Sequence, residues 1–185
     1  MQFPEFFVDA GVIDCENAAH VVRIETKKKE YNMNSAKSRI RSFAANRKIE
    51  LNNWGDDGFW LIEGSTIVYI TFDIINESTK KEMVSFTSLV VREVRVDSTL
   101  MSKLLKLNVK INFGAFGLED DVVFFKYSLL GNDHIDEAEF FNALSMVALI
   151  ADEYDNKIIA THGGMNGVDY IREQIAADEG KESYW

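Results

Sequence analysis

The sequence predicts an α+β domain in which helices pack on one face of an antiparallel sheet, in the order α-βββ-α-ββ-α. Three observations predict it. Residues 59–96 hold three apolar runs that alternate with period two, separated by glycine or polar turns, as in an antiparallel meander. Three other stretches repeat apolar residues at helical spacing behind capping residues. Strands and helices come in blocks rather than in βαβ alternation, which argues against a parallel sheet.

Each element follows from local chemistry. Residues 1–33 read as an N-terminal extension, with some helical character in CENAAHVVRIE and a solvated connector in KKKEYN. The domain spans 34–157. Asn34-Ser35 cap a helix, SAKSRIRSFAANRK, with Ile40, Phe43, Ala44 and Ile49 as its apolar stripe. The stretch Asn52 to Gly58 reads as a turn. FWLIE, TIVYITFDII and MVSFTSLVVREVRV are the three strands, with Gly64-Ser65 in the first hairpin.

Val68, Ile70, Phe72 and Ile74 share one face of the second strand, and Val84, Phe86, Val90, Val94 and Val96 one face of the third. Asp97-Ser98 cap a helix with Leu100, Leu104, Leu107 and Ile111 along one side. Strands follow around Asn112–Leu118 and over DVVFFKYSLL. A last helix starts behind Asp136, with Glu139 placed for a capping box and Phe140, Leu144, Val147, Ala148 and Ala151 as its stripe. Residues 158–185 read as a tail, broken by Gly163, Gly164 and Gly167, with a short helix in VDYIREQIAADEG.

Composition bounds the function. An apolar share of 46% supports a core. The apolar runs are far shorter than the roughly 20 residues that span a bilayer. The N-terminus lacks a basic region, and Cys15 is alone, which excludes an internal disulfide. These features lead to an expectation of a cytoplasmic protein. Net charge is −10, which argues against nucleic acid as a partner. The charge is uneven, however. Lys27 to Lys48 carry +7 and the rest of the chain −17. The basic stretch is either a solvated face or a docking patch, with Lys37, Arg39, Arg41, Arg47 and Lys48 as its candidates.

Motifs for chemistry fail on inspection. GNDHIDEAEFF resembles the end of a calcium loop, but the first and third ligand positions fall on Ser128 and Leu130, and the turn glycine on Asp133. His20, His134, His162 and Cys15 are dispersed, unlike a zinc site. The glycines at 114–117 and 163–167 lack the companions of nucleotide loops. The expectation is therefore no catalytic residues, no metal and no cofactor.

The outer face of the sheet offers a different candidate. Ile67, Tyr69, Leu89 and Val91 lie on the odd face of the second and third strands, and Phe124 joins them from the last strand. Such a patch is either covered by a terminal segment or a second subunit, or it binds a peptide.

Two stretches carry a family resemblance. GFWLIEGSTIVYITFD looks like the first hairpin of YbjN-like proteins. LLKLNVKINFGAFGLEDDVVFFKYSLLGNDHIDEAEFFNAL is similar to their passage from helix through two strands to an acidic-capped helix. Over Asn34 to Asp155 the chain resembles the YbjN class and the class I, CesT-like type III secretion chaperones. The resemblance implies a noncatalytic protein- or peptide-binding module, often a homodimer. The alternative is a dimeric regulatory or sensory-transduction adaptor that docks through its basic patch.

Overall fold

The structure is a computed structural model and describes residues 35–55, 58–76, 78–79, 81–131 and 134–173. The expected N-terminal extension, with Cys15 and His20, lies outside them, as does the end of the expected terminal helix. The elements are α1 (Ala36–Asn46), β1 (Asn52–Trp54), β2 (Gly58–Glu63), β3 (Thr66–Asn76), β4 (Lys81–Val91), α2 (Ser98–Lys110), β5 (Ala115–Glu119), β6 (Val122–Leu130) and α3 (Glu137–His162). A further helical stretch covers 167–173. The α+β class and the element order are as expected, with one added strand.

Capping chemistry sets the helices. The Ser35 side chain accepts from the Ser38 N–H at the start of α1. At its end Lys48 takes a left-handed φ of 58°. Lys48 N–H then donates to Ala45 O and Ile49 N–H to Ala44 O, which closes the helix as a Schellman turn. Asp136 and Glu139 form the full capping box of α3, so the calcium-loop lookalike is a helix start. The helix continues past Lys157 to His162.

All six strands pair antiparallel, in the order β1-β2-β3-β4-β6-β5. Asn52–Trp54, expected as a turn, instead pairs with Gly58–Trp60. The long third strand stops at Val91 instead of Val96. There Arg92 bonds to Met165, and Glu93 adopts a left-handed φ of 57° that ends the extended run. β5 begins at Ala115, after a bend through Gly114.

One face of the sheet carries the core. Phe59, Leu61, Val68, Ile70, Val84, Phe86, Val90 and Phe125 pack with α3 through Phe140, Leu144, Val147, Ala148 and Ala151. Leu100 and Leu104 of α2 and Ile40 of α1 join the same cluster. Val94 is buried there as expected, whereas Val96 is exposed. The turn between β2 and β3 is tied to α3, because Ser65 Oγ lies 2.5 Å from Asp152 Oδ1 and 2.7 Å from Asp155 Oδ2.

Two buried serines on β4 differ in one respect. Ser85 Oγ meets Ser128 Oγ at 3.0 Å across the strand pair. Ser88 Oγ is buried without a hydrogen-bond partner among the described residues. A buried hydroxyl without a partner forfeits its bonds to water. Ser88→Ala is therefore expected to stabilise the fold by about 1 kcal/mol and Ser85→Ala to destabilise it by a similar amount. Urea unfolding of both variants checks the opposite signs.

Candidate functional site

The outer face of the sheet is aromatic at one end and aliphatic at the other. Trp60 pairs with Tyr69, and Ile62 with Ile67. The Trp54 and Tyr69 rings lie 4.5 Å apart. Burial pushes the Tyr69 phenol above its ordinary pKa, with the Arg92 charge acting against the shift. At the other end Leu89 pairs with Phe124. Phe124 lies flat over Gly117, where a Cβ would stand 2.1 Å from the ring, so the glycine is what admits it.

The structure places the expected peptide-binding residues as follows. Ile67, Leu89 and Phe124 lie on the outer face, outside the core cluster, yet they are buried. Tyr69 is half-buried. Val91 has left the outer face. The register shifts between Leu89 and Val91, so Val91 pairs with Val123 and joins the core. That bulge has no signature in a run of β-branched residues, and strict alternation misses it.

The cover at the aliphatic end is the chain itself. After α3 the backbone rounds the end of β4. Arg92 N–H donates to Met165 O at 2.8 Å, and Met165 N–H to Arg92 O at 2.9 Å. Gly167 then packs against Leu89, and Val168 is buried. The Arg92 guanidinium sits 4.3 Å from the centre of the Tyr170 ring. Two of the glycines read as chain breakers, Gly164 and Gly167, are thus the points where the chain crosses the sheet.

The basic candidates of α1 are largely engaged within the chain. Both Arg39 Nε and a terminal nitrogen donate to Ile135 O, at 3.2 and 2.9 Å. Arg41 donates to Asn53 Oδ1 at 3.3 Å. Lys37 and Arg41 also stand over the Phe59 ring. Arg47 pairs with Glu137 at 3.2 Å and lies 4.2 Å from the centre of the Phe141 ring. Lys48 is exposed at the helix terminus. Four of the five, Lys37, Arg39, Arg41 and Arg47, thus contact other residues of the chain.

The expected apolar side of α2 faces inward through Leu100 and Leu104, with Leu107 and Ile111 half-buried. A second stripe was legible in the same letters. Met101, Leu105 and Val109 repeat at four-residue spacing, and they are 46%, 68% and 87% exposed. With Ser98, Ser102 and Lys106 they line a shallow groove. Asn108 meanwhile faces β5. Its Nδ2 donates to Phe116 O at 3.0 Å, and Phe116 N–H donates to its Oδ1 at 2.7 Å. Its amide thus stands where a neighbouring strand would pair.

Among the described residues no group of three or more His, Cys, Asp or Glu side chains gathers to hold a metal. His134 is exposed. His162 is buried at the end of α3, with Nδ1 2.7 Å from Thr161 Oγ1 and Nε2 3.6 Å from Asp97 Oδ1. No helix among these residues is long and apolar enough to cross a membrane.

This architecture is the type III secretion chaperone fold. A chain of the crystal structure of the ExsC–ExsE complex superposes with a TM-score of 0.51 at 13% identity, over 64% of this chain and 90% of that one. YbjN from E. coli gives a TM-score of 0.45 at 13% identity, over 66% and 92%. No curated protein sequence matches the chain. The family model described as T3SS (YopN, CesT) and YbjN peptide-binding chaperone 1 matches residues 50–169. The chain belongs to that family, as the sequence resemblance implies.

The Asp97 cap makes the stability of the fold depend on pH. Its carboxylate accepts from Leu100 N–H at 2.9 Å and caps α2. That bond chiefly holds its pKa below the ordinary value, against desolvation, with His162, Thr99 and Arg95 adding to the effect. A depressed folded pKa stabilises fully above the unfolded value and is lost as pH falls through the carboxylate range towards the folded one. Wild type is therefore expected to unfold at higher urea than Asp97→Asn at neutral pH, and the gap to narrow as pH falls through the carboxylate range towards the lowered folded value. Paired urea titrations check this.

Proposed function

We propose that the protein is a noncatalytic, chaperone-like module that binds a segment of a partner protein, and that it works in the cytoplasm as a homodimer. The observation that carries the reading is the outer sheet face. It presents the aromatic rings of Trp54, Trp60 and Tyr69 beside buried aliphatic side chains, within a family described as peptide-binding. Aromatic groups beside strand backbone suit an extended segment, which takes affinity from the main chain and specificity from alternate side chains. Ile67, Tyr69, Leu89 and Phe124 remain the proposed contact residues on that face, while Val91 belongs to the core cluster and borders the face where it meets Gly164.

The exposed stripe of α2 supports the homodimer. Helices that meet through three apolar side chains at four-residue spacing pack along their length. The adaptor reading needs a free basic patch, and the internal bonds of Arg39 and Arg47 speak against it.

Two measurements test these readings. Affinity capture followed by calorimetry with the purified partner is expected to give binding that Trp60→Ala with Tyr69→Ser weakens about tenfold or more. Equal binding by the double variant, or no partner at all, removes the peptide-site reading. Light scattering is expected to give the mass of a dimer for wild type and of a monomer for Leu105→Glu, since a charge in that stripe would be desolvated. A monomeric wild type overturns the homodimer.

A further inference from the structure

Residues 163–173 bind the sheet in the manner of a peptide. The segment makes a two-bond antiparallel bridge to Arg92. A third bond, Arg95 N–H to His162 O at 2.9 Å, fixes its root. Two small residues let its backbone lie on the strand. A Cβ at Gly164 would stand 2.3 Å from Arg92 O and 2.8 Å from Val91 Cγ1, and one at Gly167 would stand 3.0 Å from Leu89 O. Gly164 also holds φ at 88°, a conformation that side chains resist.

Beyond the bridge the segment is anchored by one buried aliphatic residue, Val168, and by Tyr170 under Arg92. Asn166 organises the turn between them. Its Oδ1 accepts from Asp169 N–H, and its Nδ2 donates to Asp169 Oδ2, both at 2.8 Å. Beneath lies the aliphatic end of the outer face. The hold is a strand bridge, two close backbone approaches, one apolar anchor and one aromatic on a cation. The bridge at Met165 is strand pairing as in peptide recognition, and the helical stretch from Gly167 carries the apolar and aromatic anchors.

We propose that residues 163–173 are an internal occupant of the peptide site, and that a partner segment binds there by displacing them. The inference rests on the reading of the outer face as a peptide site, and it names the partner's chemistry. The segment that fits has small residues at two positions three apart, an aliphatic residue directly after the second, and an aromatic residue two further on. This is the order Gly164, Gly167, Val168, Tyr170. A strongly basic segment is disfavoured, because Arg92 stands over the aromatic position.

The test uses the full-length chain and a labelled synthetic peptide with the sequence of residues 163–173. In wild type the tethered segment competes at high effective concentration, so the free peptide binds weakly. Gly164→Val removes the close approach, and Val168→Asp removes the anchor, with the sheet beneath unaltered. Each variant is expected to bind the labelled peptide at least about tenfold more tightly than wild type. Each is also expected to enhance the fluorescence of an apolar-surface dye, with native far-UV circular dichroism. A peptide carrying Gly164→Val is expected not to bind.

Folded variants that bind the peptide no better than wild type overturn the proposal. If one variant loses its native spectrum, the other decides. The probe is the chain's own segment, so the result does not depend on finding a partner. Displacement confirmed while affinity capture finds no partner would remove the functional reading and leave the internal occupant standing.

Discussion

The fold depends on the double burial of β4. From Val84 to Val91 every residue but the half-buried Thr87 is buried. A strand in that position needs apolar cover on both sides of the sheet. On one side α3 supplies it, through Phe140, Leu144, Val147 and Ala151, and α2 adds Leu100 and Leu104. On the other side the cover at Leu89 comes from Gly167 and Val168, at the far end of the described chain. Sheet and C-terminal segment are therefore parts of one packing problem, although Leu89 and Gly167 lie 78 positions apart in sequence.

The bulge after Leu89 makes this arrangement work. It turns Val91 into the core against Val123, so the end of β4 twists away from the outer face. Arg92 then has an unpaired backbone edge, which Met165 fills. Glu93 takes a left-handed conformation and redirects the chain towards Asp97. Asp97 caps α2 and faces His162 at the end of α3. The start of one helix, the end of another and the turn of the chain onto the outer face thus meet at one corner.

Much of this was legible in the sequence, for reasons that differ by element. Asp136 with Glu139, and Asp97 with its leucine stripe, are local signals, because a cap acts within one helical turn. The core faces of β3 and β4 follow from alternation up to the bulge. What alternation does not contain is the register shift itself, which moves Val91 from the outer face to the core. It does not contain the pairing of Asn52–Trp54 either, since those polar letters form a strand only because β2 offers an edge. The cover of Leu89 is a long-range event. The glycines at 163, 164 and 167 mark breaks in any reading, and only the strand beneath shows that two of them are approaches.

The distribution of backbone edges sharpens where a partner segment could pair. At β5, Phe116 offers its N–H and C=O outward, but both are taken by the side chain of Asn108. That amide belongs to a helix whose leucines are fixed in the core, so displacing it would disturb α2. At the opposite end, β1 is an edge strand of three residues that pairs with β2 on its inner side. The edge at Arg92 differs from that at β5, because its occupant is neither a core helix nor a strand of the sheet. It is a short segment joined to the fold on one side by the root of α3 and held beyond it by Val168 and Tyr170. Exchange of one segment for another costs least where the resident makes the fewest contacts. By that measure a partner segment would displace this resident, next to the aliphatic half of the outer face, at lower cost than it would displace Asn108 at β5.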